Sequence, residues 1–177
     1  MVATSGSAGS LTWRLDTTES GHRRLSLRGE IDENADLEPL LALMRDDVEL
    51  DLADIRRINS CGVRVWVRFM RDLDDALRVT LSRCAPPVVD QLNTISNFRG
   101  RAEVASFLAP YICQSCQVEE LRLLDVRSHF PPPSLNLSVA APAFPCEKCG
   151  GVLVLDELPE RYLAFLVDVQ TPAMVSR

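Results

Sequence analysis

The sequence predicts an α/β protein: a mixed β-sheet with helices packed on it, followed by a small β-rich unit of different character. Three observations carry this. Alternating apolar segments and apolar stripes at helical spacing interleave in the order β-β-α-β-α-β-α-β along residues 11–108. Beyond residue 108 the pattern changes to strand-like runs flanked by two C-x-x-C pairs and a Pro-rich loop. The 177 residues are 46% apolar and 25% charged, a composition that can bury a core.

Residues 1–10 are rich in Ser, Gly and Ala and are expected to be disordered. Residues 11–16 alternate through Leu11, Trp13 and Leu15, and residues 24–28 through Leu25 and Leu27; the turn between them completes a β-hairpin. Leu37, Leu40, Leu41 and Met44 recur at helical spacing, and residues 48–52 form a third strand. The clearest helix covers 59–77, with Val63, Trp66, Val67, Met70, Leu73 and Leu77 on one stripe and Asn59 or Ser60 as N-cap. Residues 78–83 are a fourth strand. Pro86 and Pro87 open a third helix through Ile95, and 102–108 is a fifth short strand. In the second unit 118–126 and 152–155 read as strands, and 127–143 as a loop carrying four prolines. Leu158, Tyr162, Leu163 and Leu166 place a helix over 156–166. The division is then a disordered 1–10, a first domain at 11–108, a second unit at 109–168 and a tail at 169–177.

No stretch approaches eighteen uninterrupted apolar residues, so no transmembrane helix is expected. The first residues lack the basic and apolar regions of a secretory signal, so a cytoplasmic location is expected. The net charge of −6, with Lys148 the single lysine, argues against nucleic-acid binding, which needs local basic density.

The first half carries a resemblance. L-x-L-R-G-E-I-D at 25–32, followed by V-E-L-D-L-A-D-I-R-R-I-N-S-C-G-V at 48–63, is similar to the STAS domain of bacterial anti-sigma-factor antagonists and sulfate-transporter tails. The resemblance spans residues 11–108 and implies a four- to five-stranded sheet with helices on one face. In antagonists of that family, the serine after the motif Asp is phosphorylated by a cognate serine kinase that is also the anti-sigma factor. That position is Ser60. A phosphate at the start of a helix meets free backbone N–H groups and the positive dipole end, and adds close to two negative charges to a docking surface. The sequence departs from the family at two neighbours: Asn59 replaces the motif Asp, and Cys61 replaces the second Ser or Thr. Ser60 is thus either a phosphosite, part of a fixed docking patch, or an N-cap. Cys61 and Cys84 read as small buried apolar fillers. Arg64, Arg68 and Arg71 lie opposite the apolar stripe, with Arg56 and Arg57 ahead of the helix. They form either a solvated face or a basic patch for an acidic partner.

Cys113/Cys116 and Cys146/Cys149 read as a metal site rather than disulfides in a chain without an export signal. Each C-x-x-C folds into a knuckle that brings two sulfurs to one ion. Two knuckles complete a tetrahedral Cys₄ set suited to one structural Zn²⁺, and together they resemble a zinc ribbon. Four protein ligands leave no position for a reacting water. His22 and His129 fall in turns or loops, and neither a P-loop nor a dinucleotide-binding glycine pattern occurs, so no enzyme activity is expected. The leading expectation is a cytoplasmic regulator that acts by protein–protein contact through Asn59, Ser60, Cys61, Arg64 and Arg68, with a serine-kinase anti-sigma factor as the implied partner. The alternative is a non-switching scaffold or transporter-accessory subunit with a zinc-stabilised docking module.

Overall fold

A computed structural model describes residues 2–131 and 140–170. In chain order the first part contains β1 (Val2–Ala8), β2 (Leu11–Thr17), β3 (Arg23–Ile31), α1 (Glu38–Leu41), β4 (Val48–Ile58), α2 (Ser60–Asp72), β5 (Val79–Ser82), α3 (Pro86–Thr94) and β6 (Glu103–Val104). The second contains β7 (Ser106–Cys113), β8 (Glu119–Asp125), α4 (Val126–His129), β9 (Phe144–Pro145), β10 (Val152–Leu155), α5 (Pro159–Tyr162) and α6 (Phe165–Gln170). The fold is α/β: a six-stranded mixed sheet in the order β1-β2-β3-β4-β5-β6 with helices, and a four-stranded antiparallel sheet in the order β8-β7-β10-β9.

In the first sheet β1, β2 and β3 are antiparallel, and β3 to β6 are parallel. Parallel neighbours need crossover connections, and α1, α2 and α3 supply them. Leu25, Leu27, Leu50, Leu52 and Leu81 point to the helix side and are almost fully buried. The alternate positions, Glu49, Asp51, Thr80 and Ser82, face away from the helices. There Asp51 is buried against the Arg83 guanidinium.

The stripe on α2 meets the sheet as its spacing predicts, slightly rotated. Trp66 is fully buried, and its indole N–H donates to the Phe98 carbonyl at 2.8 Å while its ring stacks on Phe98 with centroids 5.5 Å apart. Met70 and Leu73 are buried, but Phe69 is buried where Val63 and Val67 are only half-buried. The helix ends at Asp72 rather than 77, because the Asp74 carboxylate accepts the Ala76 N–H and turns the chain. α1 is one turn, and the residues after it continue in i→i+3 bonds from Leu43 to Leu40 and Met44 to Leu41.

Residues 2–8 correct the expected disorder of 1–10. They form β1, paired with β2 along its length through the Gly9-Ser10 turn. Residues 3–7 are exposed, so ladder hydrogen bonds rather than burial hold this strand, and Gly6 leaves room for the Trp13 ring across from it.

The strand expected at 102–108 divides. β6 pairs with β5, whereas β7 begins the second sheet, with the chain changing sheets at Ala105. The boundary placed at 108/109 therefore falls inside β7. Both sheets share one core: Phe107 bridges to Cys84 and packs against Phe130, Tyr162 and Phe165. The helix expected at 156–166 is two short ones, and Leu158 is 63% exposed rather than on the buried face. Residues 132–139 of the Pro-rich loop and the tail from 171 lie outside the described residues. Among the described residues no helix is long and apolar enough to cross a membrane.

Candidate functional site

The first group of candidate residues sits where β4 runs into α2. Asn59 has extended backbone and caps the helix, its Oδ1 accepting the Gly62 N–H at 2.8 Å. Its Nδ2 donates to Glu33 Oε2 at 2.8 Å, and its backbone N–H donates to the Ile31 carbonyl at 3.2 Å. The G-E-I-D segment and the N-S-C-G segment thus lie against each other. Gly62 is required by this approach: a Cβ there would lie 1.8 Å from the Ile31 carbonyl oxygen. The neighbouring turn is fixed by Ser10, whose hydroxyl donates to Asp32 Oδ1 at 2.6 Å and holds that carboxyl below the usual carboxylate range. The Asn59 amide lowers the Glu33 carboxyl in the same way. Sequence reasoning passed over Asp32 and Glu33 as site residues, although Asp32 ends the G-E-I-D motif and Glu33 follows it directly.

Ser60 is exposed at the first position of α2, and its hydroxyl has no hydrogen-bond partner among the described residues. Cys61 is not the buried filler expected: it is half-buried, and its sulfur accepts from Arg64 Nη2 at 3.4 Å. Cys84 is the filler expected, with burial pushing its thiol up to about 12. The arginine face is largely paired within the chain. Arg68 and Arg71 reach Asp72 at 3.5 and 3.0 Å, and Arg57 reaches Glu30 at 2.8 Å. Arg56 and Arg64 make no ion pair among the described residues. Beside this face a hollow of about 260 Å³ opens between α1 and α2, lined by Leu37, Leu41, Val65 and Phe69 with Arg68 and Asp72.

The second group is the cysteine cluster. Cys113, Cys116, Cys146 and Cys149 bring their sulfurs within 4.8 Å of one another. Cys113 Sγ lies 3.6 Å from Cys149 Sγ, and Cys116 Sγ lies 3.8 Å from Cys146 Sγ. Four sulfurs held tetrahedrally ~2.3 Å from one ion would stand ~3.8 Å apart, so the set fits a single metal ion. The two knuckles are built alike. The Gln117 N–H donates to the Cys113 carbonyl at 2.9 Å, and the Gly150 N–H to the Cys146 carbonyl at 2.8 Å. Both donors have left-handed backbone, φ 57° and 73°. The Cys113 N–H then bonds the Val118 carbonyl at 2.9 Å, and the Cys146 N–H the Gly151 carbonyl at 2.7 Å.

Backbone N–H groups of Cys116 and Ser115 favour the Cys113 thiolate and bring its pKa to about 6. The Gly151 N–H likewise favours the Cys149 thiolate, but the Cys116 and Cys113 sulfurs outweigh it and push that thiol up to about 12. One negative charge in the cluster thus opposes a second, and a divalent cation at the centre removes that opposition. Neither histidine belongs to the cluster. His22 Nε2 lies 2.9 Å from Glu49 Oε2, and His129 Nδ1 accepts the Asp125 N–H at 3.0 Å.

On the far face of the first sheet an open cleft of about 720 Å³ is lined by charged side chains already paired with each other or with near neighbours. Asp47 pairs with Arg78, Glu49 with His22 and Arg24, Asp75 with Arg101, and Glu103 with Arg127. No family model, curated protein or solved structure matches this chain.

Proposed function

We propose that this chain is a non-catalytic bacterial regulator that docks a protein partner at the N-terminal end of α2, with one structural Zn²⁺ held by Cys113, Cys116, Cys146 and Cys149. The observation that carries the reading is the joint between the two motif segments, with the Ser60 hydroxyl exposed and unpartnered on top of it. This agrees with the resemblance to STAS antagonists, in which that serine faces the kinase. The proposed partner is accordingly a serine-kinase anti-sigma factor, met in the cytoplasm. Asn59, Ser60, Cys61 and Arg64 form the contact, and Arg68 extends it toward the hollow between α1 and α2. Zinc is favoured by an all-thiolate set, and four thiolates occupy every position of a tetrahedral ion, consistent with structure rather than catalysis. The net charge of −6 speaks against a nucleic acid as partner.

A second reading has its own support. Asn59 is satisfied on both sides, by Glu33 and by Gly62, and carries no charge. That suits a fixed docking patch on a non-switching scaffold or transporter-accessory subunit.

The test is cross-linking in native cells with a photoreactive residue at position 64, compared among wild type, Ser60→Ala and Ser60→Asp. The switching regulator predicts one protein adduct, retained by Ser60→Ala and reduced about tenfold or more by Ser60→Asp. A charge in a docked surface must shed its water, at a cost above ~1.4 kcal/mol. An adduct indifferent to both substitutions selects the fixed patch, and no adduct at this position refutes docking there. Elemental analysis finding no zinc in reduced, chelator-free protein would refute the metal assignment.

A further inference from the structure

The second sheet has two faces of opposite character. On one, Phe107, Ala109, Tyr111, Cys113, Leu124 and Leu153 are fully buried. On the other lie Leu108, Pro110 and Ile112 of β7, Leu121 and Leu123 of β8, and Val154 of β10. The register makes them contiguous, with Leu108 beside Leu123, Pro110 beside Leu121, and Ile112 beside Val154. Leu121 is 54% and Leu123 50% exposed. Val152, next on this face of β10, is 46% exposed. None of these side chains contributes to the core shared by the two sheets. A contiguous apolar sheet face open to water marks a contact surface.

The charges on this face decide what fits it. Its strand positions carry Glu119 beside Ile112 and Asp125 beside Ser106, and no Arg or Lys. Asp156 follows β10, its N–H bonded to the Pro110 carbonyl at 2.9 Å. Glu119 and Asp156 form no ion pair among the described residues. The nearest strand cation, Arg122, belongs to the opposite face, where its guanidinium stacks 4.9 Å over the Phe144 ring. A second copy of this chain would set carboxylates against carboxylates, and an anionic lipid surface would be repelled. A partner with apolar side chains flanked by Lys or Arg matches on both counts. Three strands spaced ~4.8 Å apart give a strip ~10 Å wide, the diameter of one helix with its side chains.

We propose that the exposed face of β7, β8 and β10 docks an amphipathic helix of another protein, apolar on the side it presents and basic along its flanks. The site is remote in sequence from α2 and does not depend on the docking reading given above.

The test uses the full-length protein and a synthetic helical peptide of about 14 residues with a leucine stripe flanked by lysines, against the same peptide with glutamates. Methyl NMR reads Ile112, Leu121, Leu123 and Val154. The lysine peptide should shift these methyls and bind about tenfold or more tightly than the glutamate peptide. Leu121→Ser with Leu123→Ser should abolish the shifts. Both residues are half-exposed, so unchanged Trp66 fluorescence will show that the fold is retained. Glu119→Lys with Asp156→Lys should invert the preference between peptides, while Ser60→Asp should leave it unchanged. Methyl shifts confined to another surface, or equal binding of the two peptides, would overturn the proposal. So would a dimer abolished by Leu121→Ser, or capture of phosphatidylserine vesicles through this face.

Discussion

The Asn59 side chain donates to Glu33 Oε2 and accepts from the Gly62 N–H, each at 2.8 Å, so one amide ties the turn after β3 to the first turn of α2. An aspartate at this position could make only the second of these bonds, and would face Glu33 as a like charge. Asn59→Ala should lower stability by about 1 kcal/mol through loss of the cap. Asn59→Asp keeps the cap but removes the interaction that lowers the Glu33 carboxyl. It should be less stable than wild type at pH 7 and close that gap as the pH falls toward 5 and the pair shares a proton. Urea midpoints at the two pH values check this. A gap independent of pH would show that Glu33 does not sense residue 59.

Gly62→Ala should be severe. The new Cβ meets backbone on the Ile31 and Asp32 side, at 1.8 Å from the Ile31 carbonyl oxygen and 2.9 Å from the Asp32 nitrogen. Neither atom belongs to a flexible side chain, so α2 must move off β3. The expected loss is about 3 kcal/mol or more, read as a fall in urea midpoint at constant slope.

Trp66 is the largest fully buried side chain. Trp66→Ala should cost roughly 3–5 kcal/mol. Trp66→Phe keeps a ring near Phe98 but strands the Phe98 carbonyl that now accepts the indole N–H, at about 1–3 kcal/mol. A near-neutral alanine variant would mean that α2 packs in another phase.

Metal removal should affect both sheets. Cys113, a proposed ligand, and Phe107, a core residue of both sheets, lie on the same strand. Cys113→Ser or chelation should therefore lower the thermal midpoint reported by Trp66 on α2, which packs on the first sheet, rather than melt the second unit alone. An unchanged Trp66 transition after complete metal loss would show that the two sheets unfold independently.

Acid should destabilise the chain through identifiable groups. Asp32, Glu33, Asp47, Glu49, Asp75 and Asp125 all have carboxyls lowered in the folded state by hydrogen bonds or arginines. Each contributes stability that is present above its ordinary value of 3.8 or 4.5 and is lost as the pH falls through the lowered one. Urea midpoints should be flat above pH ~5.5 and fall steadily below ~4.5. A rise on acidification would reverse the sign assigned to these carboxylates.

Local patterns made much of this structure legible. The β2–β3 hairpin, the Pro-started α3, the stripe on α2 and the cysteine cluster all rest on spacings of two, three or four residues, which the chain displays without folding. The misses are non-local or come from competing turns. β1 has no apolar alternation, and its stability comes from an edge offered by β2. The change of sheets at Ala105 leaves no mark in a run that alternates equally well as one strand. Asp74 ends α2 with a side-chain bond stronger in context than the helical preference of the residues after it. The Asn59–Glu33 contact joins residues 26 apart in sequence, a distance no motif spacing displays.

In the first sheet each strand lies beside its predecessor in the chain. During synthesis, such a sheet can grow one strand at a time as the polypeptide leaves the ribosome, with every new strand finding a finished edge and little loop entropy to overcome. The cysteine cluster has the opposite timing. Its first two thiols emerge with β7, but the set is incomplete until Cys149, when the first sheet has long since been made. Ion capture would then act as a late latch, closing the shared core around Phe107 after the surface at Ser60 is already formed.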